Sequence, residues 1–276
     1  MQRIDAHQHF WEYRPDRDAW ITDEMSVIRR DFLPADLKPL LETQGIAGCV
    51  AVQADQSESE TLFLLDLAAR HDWIKGVVGW IDLRAPDIGE RLAYFSQYRK
   101  LKGFRHIVQD EADPRFLLRP EWLKGIDALG RYGYTYDILV KPHQLAMTDE
   151  FIAHFPQQRF VVDHLAKPPI KSGERREWAS AMKTIARHSQ VYCKLSGLLT
   201  EADLTSWKTV DFDYYINHII EVFGVNRILF GSDWPVCLLA GSYRDVTALM
   251  EHAVSQLSPA EQALIWYTNA VNFYKL

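Results

Sequence analysis

Two histidines near the start of the chain and one aspartate near its end are residue types that bind metal ions and transfer protons. His7 and His9 follow a short apolar run and are two positions apart. On an extended strand, side chains at i and i+2 leave the same face, so both imidazoles can reach one ion or one substrate oxygen. Asp233 ends another apolar run, close to the other end of the chain. These three side chains meet if the first and last strands are neighbours, as they are in a closed barrel.

His164 adds a third imidazole, at the end of the apolar run 159–164. By itself His164 is typical of a structural histidine. Asp233 by itself is as consistent with a helix cap or a turn as with a ligand. Three imidazoles and one carboxylate at strand ends, however, supply the nitrogen and oxygen ligands that zinc prefers. The combination predicts one divalent metal ion, best matched by zinc, held by His7, His9, His164 and Asp233.

The elements that must position these residues alternate between short β-rich runs and longer amphipathic segments. The predicted strands are 2–9, 48–54, 76–82, 101–107, 134–140, 159–164, 191–197 and 227–233. The predicted helices include 34–44, 59–71, 86–98, 120–131, 174–188 and 211–223, with closing helices at 243–256 and 259–272. Pro39 predicts that the first helix begins there or is irregular before it, and 10–33 is predicted to be a loop over the active-site mouth.

Eight strand–helix pairs in 276 residues predict a single (β/α)8 barrel spanning residues 1–276. The competing prediction is an open, doubly wound sheet, in which polar residues gather near one switch point. Here they follow strands around the whole set, which favours the barrel. These strand-end residues are His7, His9, Gln53, Asp82, Arg105, His106, Lys141, His143, His164, Ser196 and Asp233.

Composition excludes several classes of protein. The apolar fraction is 47% and the formal net charge is −6, so nothing indicates a basic nucleic-acid-binding face. No apolar run is long enough to span a membrane, and the N-terminus lacks the apolar stretch of a secretory signal. Three scattered cysteines indicate reduced packing residues in a cytoplasmic protein.

Five runs together resemble the amidohydrolase superfamily, most closely its branch of sugar-lactone hydrolases, which includes L-fuconolactonases and L-rhamnonolactonases. These runs are Asp5–Trp11, Gly103–Gln109, His164–Pro168, Gly231–Pro235 and Asn269–Tyr274. The resemblance spans the whole chain. It implies a barrel in which the four predicted ligands surround a water or hydroxide.

The resemblance also bears on the number of metal ions. Many superfamily members use a carboxylated lysine to bridge two metals, and Lys141 is the strand-end lysine best placed for that role. A surface or substrate contact is much the better interpretation of Lys141, so a single ion is favoured. Because the related branch includes members without a tightly held metal, turnover does not necessarily require the ion.

Hydrolysis of a small neutral sugar-acid lactone, such as L-fucono-1,5-lactone, is the predicted reaction. Asp233 is expected to take the proton from water and return it to the ring oxygen, with His164 as the other catalytic candidate. The metal or the imidazoles would stabilise the oxyanion. The expected substrate contacts are Trp11, Trp20, Gln53, Arg105, His106, His143 and Trp234.

Two of these contacts are adjacent, and strand alternation places only one of them inside the barrel. Arg105 is favoured over His106. A dicarboxylate lactone would need several arginines at the strand ends, and Arg105 is the one well placed, although Arg14, Arg17 and Arg84 lie in loops.

Other functions use the same scaffold and remain open. They are a 2-pyrone-4,6-dicarboxylate-type lactonase, a metal-dependent decarboxylase or amide hydrolase, and a non-catalytic metal- or sugar-binding barrel. Asp233 beside the histidines argues against the last, because a binding protein needs no proton shuttle.

Overall fold

The computed structural model describes all residues, 1–276, and contains eight parallel strands. They are β1 (Ile4–Gln8), β2 (Gly48–Val52), β3 (Ile74–Gly79), β4 (Leu101–His106), β5 (Thr135–Ile138), β6 (Phe160–Val162), β7 (Val191–Leu195) and β8 (Ile228–Phe230). The helices are α1 (Pro34–Thr43), α2 (Glu58–Arg70), α3 (Ile88–Phe95), α4 (Pro120–Arg131), α5 (Leu145–Ala153), α6 (Arg176–Ile185), α7 (Val210–Phe223), α8 (Tyr243–Ala253), α9 (Pro259–Ala263) and α10 (Asn269–Tyr274).

The strands pair in chain order from β1 to β8, and each pairing is parallel. The ring closes just beyond the strand ends. There Asp233 N donates to His7 O at 2.8 Å, and His9 N donates to the carbonyl of Trp234 at 2.7 Å. The structure confirms the predicted (β/α)8 barrel. Its closing seam also brings the two ends of the chain together at the predicted site.

The barrel is filled by two layers of different chemistry. Its lower part is apolar and includes Val50, Val52, Val161 and Leu229, all of them buried. Above this layer the inward positions carry charged side chains instead of aliphatic ones. The bulk of the apolar core lies outside the barrel, between the strands and the surrounding helices.

An irregularity in β1 decides which of its side chains face inward. Ile4 and Ala6 belong to the interior apolar cluster, and strict alternation would next turn Gln8 inward. The β1–β2 register shifts between Asp5 and Gln8, which inserts one extra residue on β1. Gln8 therefore contacts Cys49 outside the barrel, while His7 and His9 face the site. The two histidines share a face as predicted, but the bulge selects that face.

The C-terminal helix α10 covers the base of the barrel. Phe273 and Tyr274 pack against the interior apolar cluster, and the Tyr274 hydroxyl donates to Asp137 Oδ2 at 2.6 Å. The end of the chain is thereby connected to the charged layer beneath the site. No helix in the structure has the length and apolar character needed to cross a membrane.

Several predicted boundaries differ from the structure. Most strands end two or three residues earlier than predicted, so the polar residues that follow them lie on loops. Helix α1 begins at Pro34, and Pro39 is inside it, contrary to the prediction that the helix begins at Pro39 or is irregular before it. The predicted helix 259–272 is divided into α9, a π-helical turn at 264–268 and α10, and α5 was not predicted.

Candidate active site

Three imidazoles surround one carboxylate oxygen at the C-terminal mouth of the barrel. The Nε2 atoms of His9, His7 and His164 lie 3.2, 3.7 and 3.9 Å from Asp233 Oδ1. His7 Nε2 and His9 Nε2 are 3.2 Å apart. All four side chains are nearly or fully buried. The four residues predicted as ligands are therefore in one cluster.

The far nitrogen of each histidine has its own partner, which fixes the orientation of the ring. His9 Nδ1 is 2.8 Å from the Val52 carbonyl, so this nitrogen carries the proton. His164 Nδ1 is 2.9 Å from Ser196 Oγ. Beneath His7, Lys194 Nζ lies 3.1 Å from Nδ1 and Asp163 Oδ1 lies 3.4 Å from it. Of these partners, the Val52 carbonyl and the Asp163 carboxylate are of the kind that usually orients metal-binding histidines, because each can accept a ring N–H.

The donor set fits a metal ion. Ligand atoms of His7, His164 and Asp233 lie within 4.8 Å of one another, and His9 Nε2 points at the same carboxylate oxygen. His9 Nδ1 donates its proton to a carbonyl, so Nε2 of a neutral His9 directs a lone pair at the Asp233 carboxylate. The lone pair and the carboxylate repel each other, and a cation between them would remove this repulsion. Asp163 Oδ1 is buried without a directed hydrogen bond and could accept one from His7 Nδ1 if His7 bound metal through Nε2.

A left-handed turn carries His164. Residues 164–167 all have φ near +53°, a region that costs roughly 1–2 kcal/mol for each residue with a Cβ. The turn is held from outside, because Trp178 Nε1 donates to the Leu165 carbonyl at 2.7 Å. Gly197 makes room for the ring, since a Cβ there would lie 2.5 Å from His164 Nδ1.

Asp233 also has a positive φ, of 58°, and is fixed by the closing seam. The preceding residue, Ser232, donates through both its backbone N–H and its hydroxyl to the buried carboxylate of Asp5. Tyr243 on α8 donates to the same carboxylate at 2.9 Å. Asp5 therefore joins β1, the segment after β8 and α8 directly behind the site.

The electrostatics of the cluster favour neutral side chains at His7 and His164 and an ionised Asp233. Burial lowers the pKa of His164 to about 4, against the opposing effect of Asp233 and Asp163. Burial likewise holds the pKa of His7 well below its usual range. For Asp233, burial would raise the pKa, but the neighbouring imidazoles outweigh it and hold that pKa well below the ordinary value.

A cavity of about 210 Å³ opens directly above this cluster. Its polar wall includes His9, His164, Asp233, Arg105, Gln109, Asp110 and Lys167. Its apolar wall includes Trp11, Trp20, Ala54, Ile107, Leu139 and Val236. One small organic molecule can lie with one side on the aromatic rings and the other on the carboxylate.

Among the predicted substrate contacts, Trp11, Trp20 and Arg105 line the cavity. Trp20, at the rim, is 43% exposed and meets the Trp11 ring edge-to-face. Arg105 faces inward as favoured. Its guanidinium donates to Gln53 and contacts Asp163 at 3.2 Å. Gln53 is fully buried and does not line the cavity, so it holds Arg105 instead of reaching a ligand.

Three other predicted contacts lie elsewhere, which corrects those assignments. Trp234 is buried in an aromatic cluster with Phe10 and Phe32. His106 points out of the barrel, as alternation after Arg105 requires, and its Nε2 is 2.6 Å from Glu111. His143 is exposed in the turn before α5 and does not reach the cavity.

A buried charged layer, which was not predicted from the sequence, lies beneath His7. Lys194 Nζ lies 2.6 Å from Asp137 Oδ2 and 3.0 Å from Asp163 Oδ1, and all three side chains are fully buried. Lys141, the lysine considered from the sequence, instead pairs with Asp110 at the surface. The missed signal was a charged residue at an inward position of β5, β7 and the end of β6, in runs otherwise apolar.

Comparison with known proteins assigns the family. The amidohydrolase family model matches residues 4–276. The chain belongs to the amidohydrolase family. An L-fucono-1,5-lactonase of Burkholderia multivorans is 42% identical over 285 residues, covering 99% of this chain and 96% of that protein. An L-fucono-1,5-lactonase of Burkholderia ambifaria is 38% identical, with the same coverage of 99% and 96%.

A solved amidohydrolase agrees with this assignment. The crystal structure of an amidohydrolase from Burkholderia multivorans with bound zinc superposes with a TM-score of 0.96 at 41% identity, covering 100% of both chains. The barrel described above is therefore an amidohydrolase barrel. The resemblance inferred from the sequence runs is confirmed.

Proposed function

We propose that this amidohydrolase hydrolyses a small neutral sugar-acid lactone, L-fucono-1,5-lactone or a close relative, to the aldonic acid. The observation that carries the proposal is the Asp233 carboxylate, exposed to a small cavity and surrounded by three imidazole Nε2 atoms. The names of the two Burkholderia relatives supply the substrate class.

Asp233 is the proposed base and proton shuttle. Ester hydrolysis needs a base for the attacking water and an acid for the leaving alkoxide, and one carboxylate can serve both in turn. Asp233 takes a proton from water and gives it to the ring oxygen as the C–O bond breaks. His164 is the other catalytic group, with its Nε2 on the cavity side and its Nδ1 held by Ser196.

One divalent ion, proposed as zinc, would be held by His7, His9, His164 and Asp233. When bound, it would polarise the lactone carbonyl and lower the pKa of a water molecule. The proposed zinc agrees with the ion in the Burkholderia structure. Arg105, whose side chain lines the cavity, is proposed to contact the substrate.

The cavity supports a neutral substrate. Arg105 already contacts Asp163, and Lys167 contacts Glu201 at 2.9 Å, so neither cation is free to match a second carboxylate. Asp110 adds negative charge to the same wall. Two carboxylates on one ligand would therefore meet too few unpaired donors.

A panel assay tests the proposal. Purified enzyme is given L-fucono-, L-rhamnono- and D-arabinono-lactones, 2-pyrone-4,6-dicarboxylate and a dihydroxybenzoate, with a pH indicator for released acid. We expect kcat/KM to be far higher on a neutral aldonolactone than on the dicarboxylate. Higher kcat/KM on the pyrone, or decarboxylation without lactone hydrolysis, would contradict the proposal.

A further inference from the structure

His7 has more hydrogen-bond donors around it than a neutral imidazole can accept. Lys194 Nζ is 3.1 Å from Nδ1, and Arg105 Nη1 is 3.2 Å from Nε2. A neutral imidazole has one lone pair and one N–H. Only one of the two cations can therefore donate to His7, and the choice fixes which ring nitrogen of His7 carries the proton.

The geometry favours Lys194 as that donor. Lys194 makes directed hydrogen bonds to His7 Nδ1 and to Asp137 Oδ2, whereas its 3.0 Å approach to Asp163 Oδ1 is an ion-pair contact without hydrogen-bond direction. Arg105 Nη1 has Asp163 Oδ2 as another acceptor at 3.2 Å. Losing its contact with His7 therefore leaves Arg105 paired.

His9 supports the same assignment from the other side. Its Nδ1–H is used by the Val52 carbonyl at 2.8 Å, which leaves a lone pair on Nε2. His7 Nε2 is 3.2 Å from that lone pair. A proton on His7 Nε2 completes a chain with one direction, in which Lys194 donates to His7, His7 donates to His9, and His9 donates to Val52.

We infer that Lys194 is a positioning residue that keeps the proton of His7 on Nε2 and thereby opposes metal binding at that nitrogen. Binding a metal requires the Nε2 lone pair, so the Nε2 proton leaves to solvent and Nδ1 takes one up, with no net change in the protons on His7. Nδ1–H can then donate to Asp163 Oδ1, which otherwise lacks a directed hydrogen bond. Lys194 favours the metal-free arrangement, and Asp163 favours the metal-bound one.

The tautomer of His7 can be measured in the unmodified protein. Enzyme labelled with ¹⁵N-histidine is freed of metal by chelation, and long-range ¹H–¹⁵N correlation spectra report which ring nitrogen carries the proton. The signals of His7 are identified by their loss in His7→Gln. We expect protonated Nε2 and unprotonated Nδ1. The opposite pattern overturns the inference.

Zinc affinity gives a second measurement, and it needs a charge-balanced variant. Removing Lys194 alone would leave Asp137 buried without a cation and would leave Asp163 with Arg105 only. The variant Lys194→Met/Asp137→Asn removes one charge of each sign, and Asp137→Asn alone is the matched control. Zinc affinity is measured by competition with a chromophoric chelator. We expect the double variant to bind zinc at least about tenfold more tightly than the control, which is the usual scale of effect for residues that hydrogen-bond to a metal ligand.

The outcomes separate this inference from the proposed function on which it rests. Equal zinc affinity in the folded double variant and its control overturns the role of Lys194. If no form binds zinc, the proposed metal centre is wrong, and the tautomer of His7 alone decides the inference. Lactone turnover in the panel assay is a separate result from both. If the double variant does not fold, the spectra of the unmodified protein still give the answer.

Discussion

At the scale of single residues, the site depends on side chains whose roles differ although their burial is similar. Asp5 and Asp233 are both buried carboxylates near the closing seam. Asp5 is enclosed by donors from Ser232 and Tyr243 and serves the fold, whereas Asp233 faces the cavity. Burial alone therefore does not distinguish a structural carboxylate from a proposed catalytic one. The direction of the side chain does.

Asp233→Asn tests the proposed proton shuttle. The amide keeps the size of the side chain but cannot accept the proton of water, so kcat should fall by at least roughly a hundredfold. Thermal unfolding of the same preparation checks that the protein is folded. Near-wild-type kcat in a folded variant would remove Asp233 from the mechanism and leave His164 as the next candidate base.

Glu60→Gln tests a pH dependence of stability away from the predicted ligands. Glu60 is buried in the first turn of α2, where it accepts the backbone N–H groups of Ala54 and Asp55. Burial raises its pKa from 4.5 to about 8. Between these values the folded protein holds a proton that the unfolded chain lacks, so this contribution to the free energy of unfolding falls as pH rises.

The amide side chain of the Glu60→Gln variant does not titrate, so the variant lacks this pH dependence. The stability of wild type relative to Glu60→Gln should be greatest below pH 4.5 and should decline as pH rises from 4.5 towards 8, as measured by urea unfolding at several pH values. Parallel stability curves for the two proteins would show that Glu60 titrates normally.

At the scale of elements, the loops after the strands position the site by unusual backbone conformations. The bulge in β1 turns His7 and His9 inward, and the left-handed turn at 164–167 aims His164. Such conformations persist where surrounding contacts hold them, here Trp178 against the Leu165 carbonyl. The stability lost locally is offset by packing outside the barrel.

Gly197→Ala tests how tightly the His164 ring is held. The added Cβ would lie 2.5 Å from His164 Nδ1, so the ring must shift and kcat should fall by roughly tenfold or more. Gly173→Ala is the matched control, because Gly173 also has a positive φ, of 72°, but nothing lies within 4 Å of the new Cβ. Both variants should lose roughly 1–2 kcal/mol of stability from backbone strain. Equal kcat in the two variants would mean that the ring has room to adjust.

At the scale of the whole molecule, all eight strands share one interior. The apolar layer takes side chains from β1, β2, β3, β6 and β8 and is covered from below by α10. No group of strands has a separate interior. The closing contacts between the two ends of the chain also belong to the site.

We therefore propose that the chain is one domain and expect it to unfold in a single transition. Far-UV circular dichroism and tryptophan fluorescence, followed against urea, should give coincident curves. Curves with separate midpoints would show that part of the barrel unfolds independently, contrary to one domain over 1–276.

The sequence alone predicted the barrel and the cluster of strand-end residues, and the resemblance of five runs indicated the family. The barrel and the cluster follow from local signals: the alternation of strands and helices, and polar residues placed where apolar runs end. Parallel strands in a barrel point their C-terminal ends to one mouth, so the pattern predicts that His7, His9, His164 and Asp233 lie at that mouth.

The tertiary structure decided which neighbouring side chains reach the cavity. Trp234 and His106 lie as close to strand ends as the proposed ligands do, yet Trp234 packs among aromatic rings and His106 points outward. The charged layer of Asp137, Asp163 and Lys194 also became visible only in the tertiary structure. Its members are far apart in the chain, and in the sequence each is a single charged residue in an otherwise apolar run. Periodicity gives the face of a residue relative to its neighbours, but a bulge, a left-handed turn or a closing seam sets where that face points.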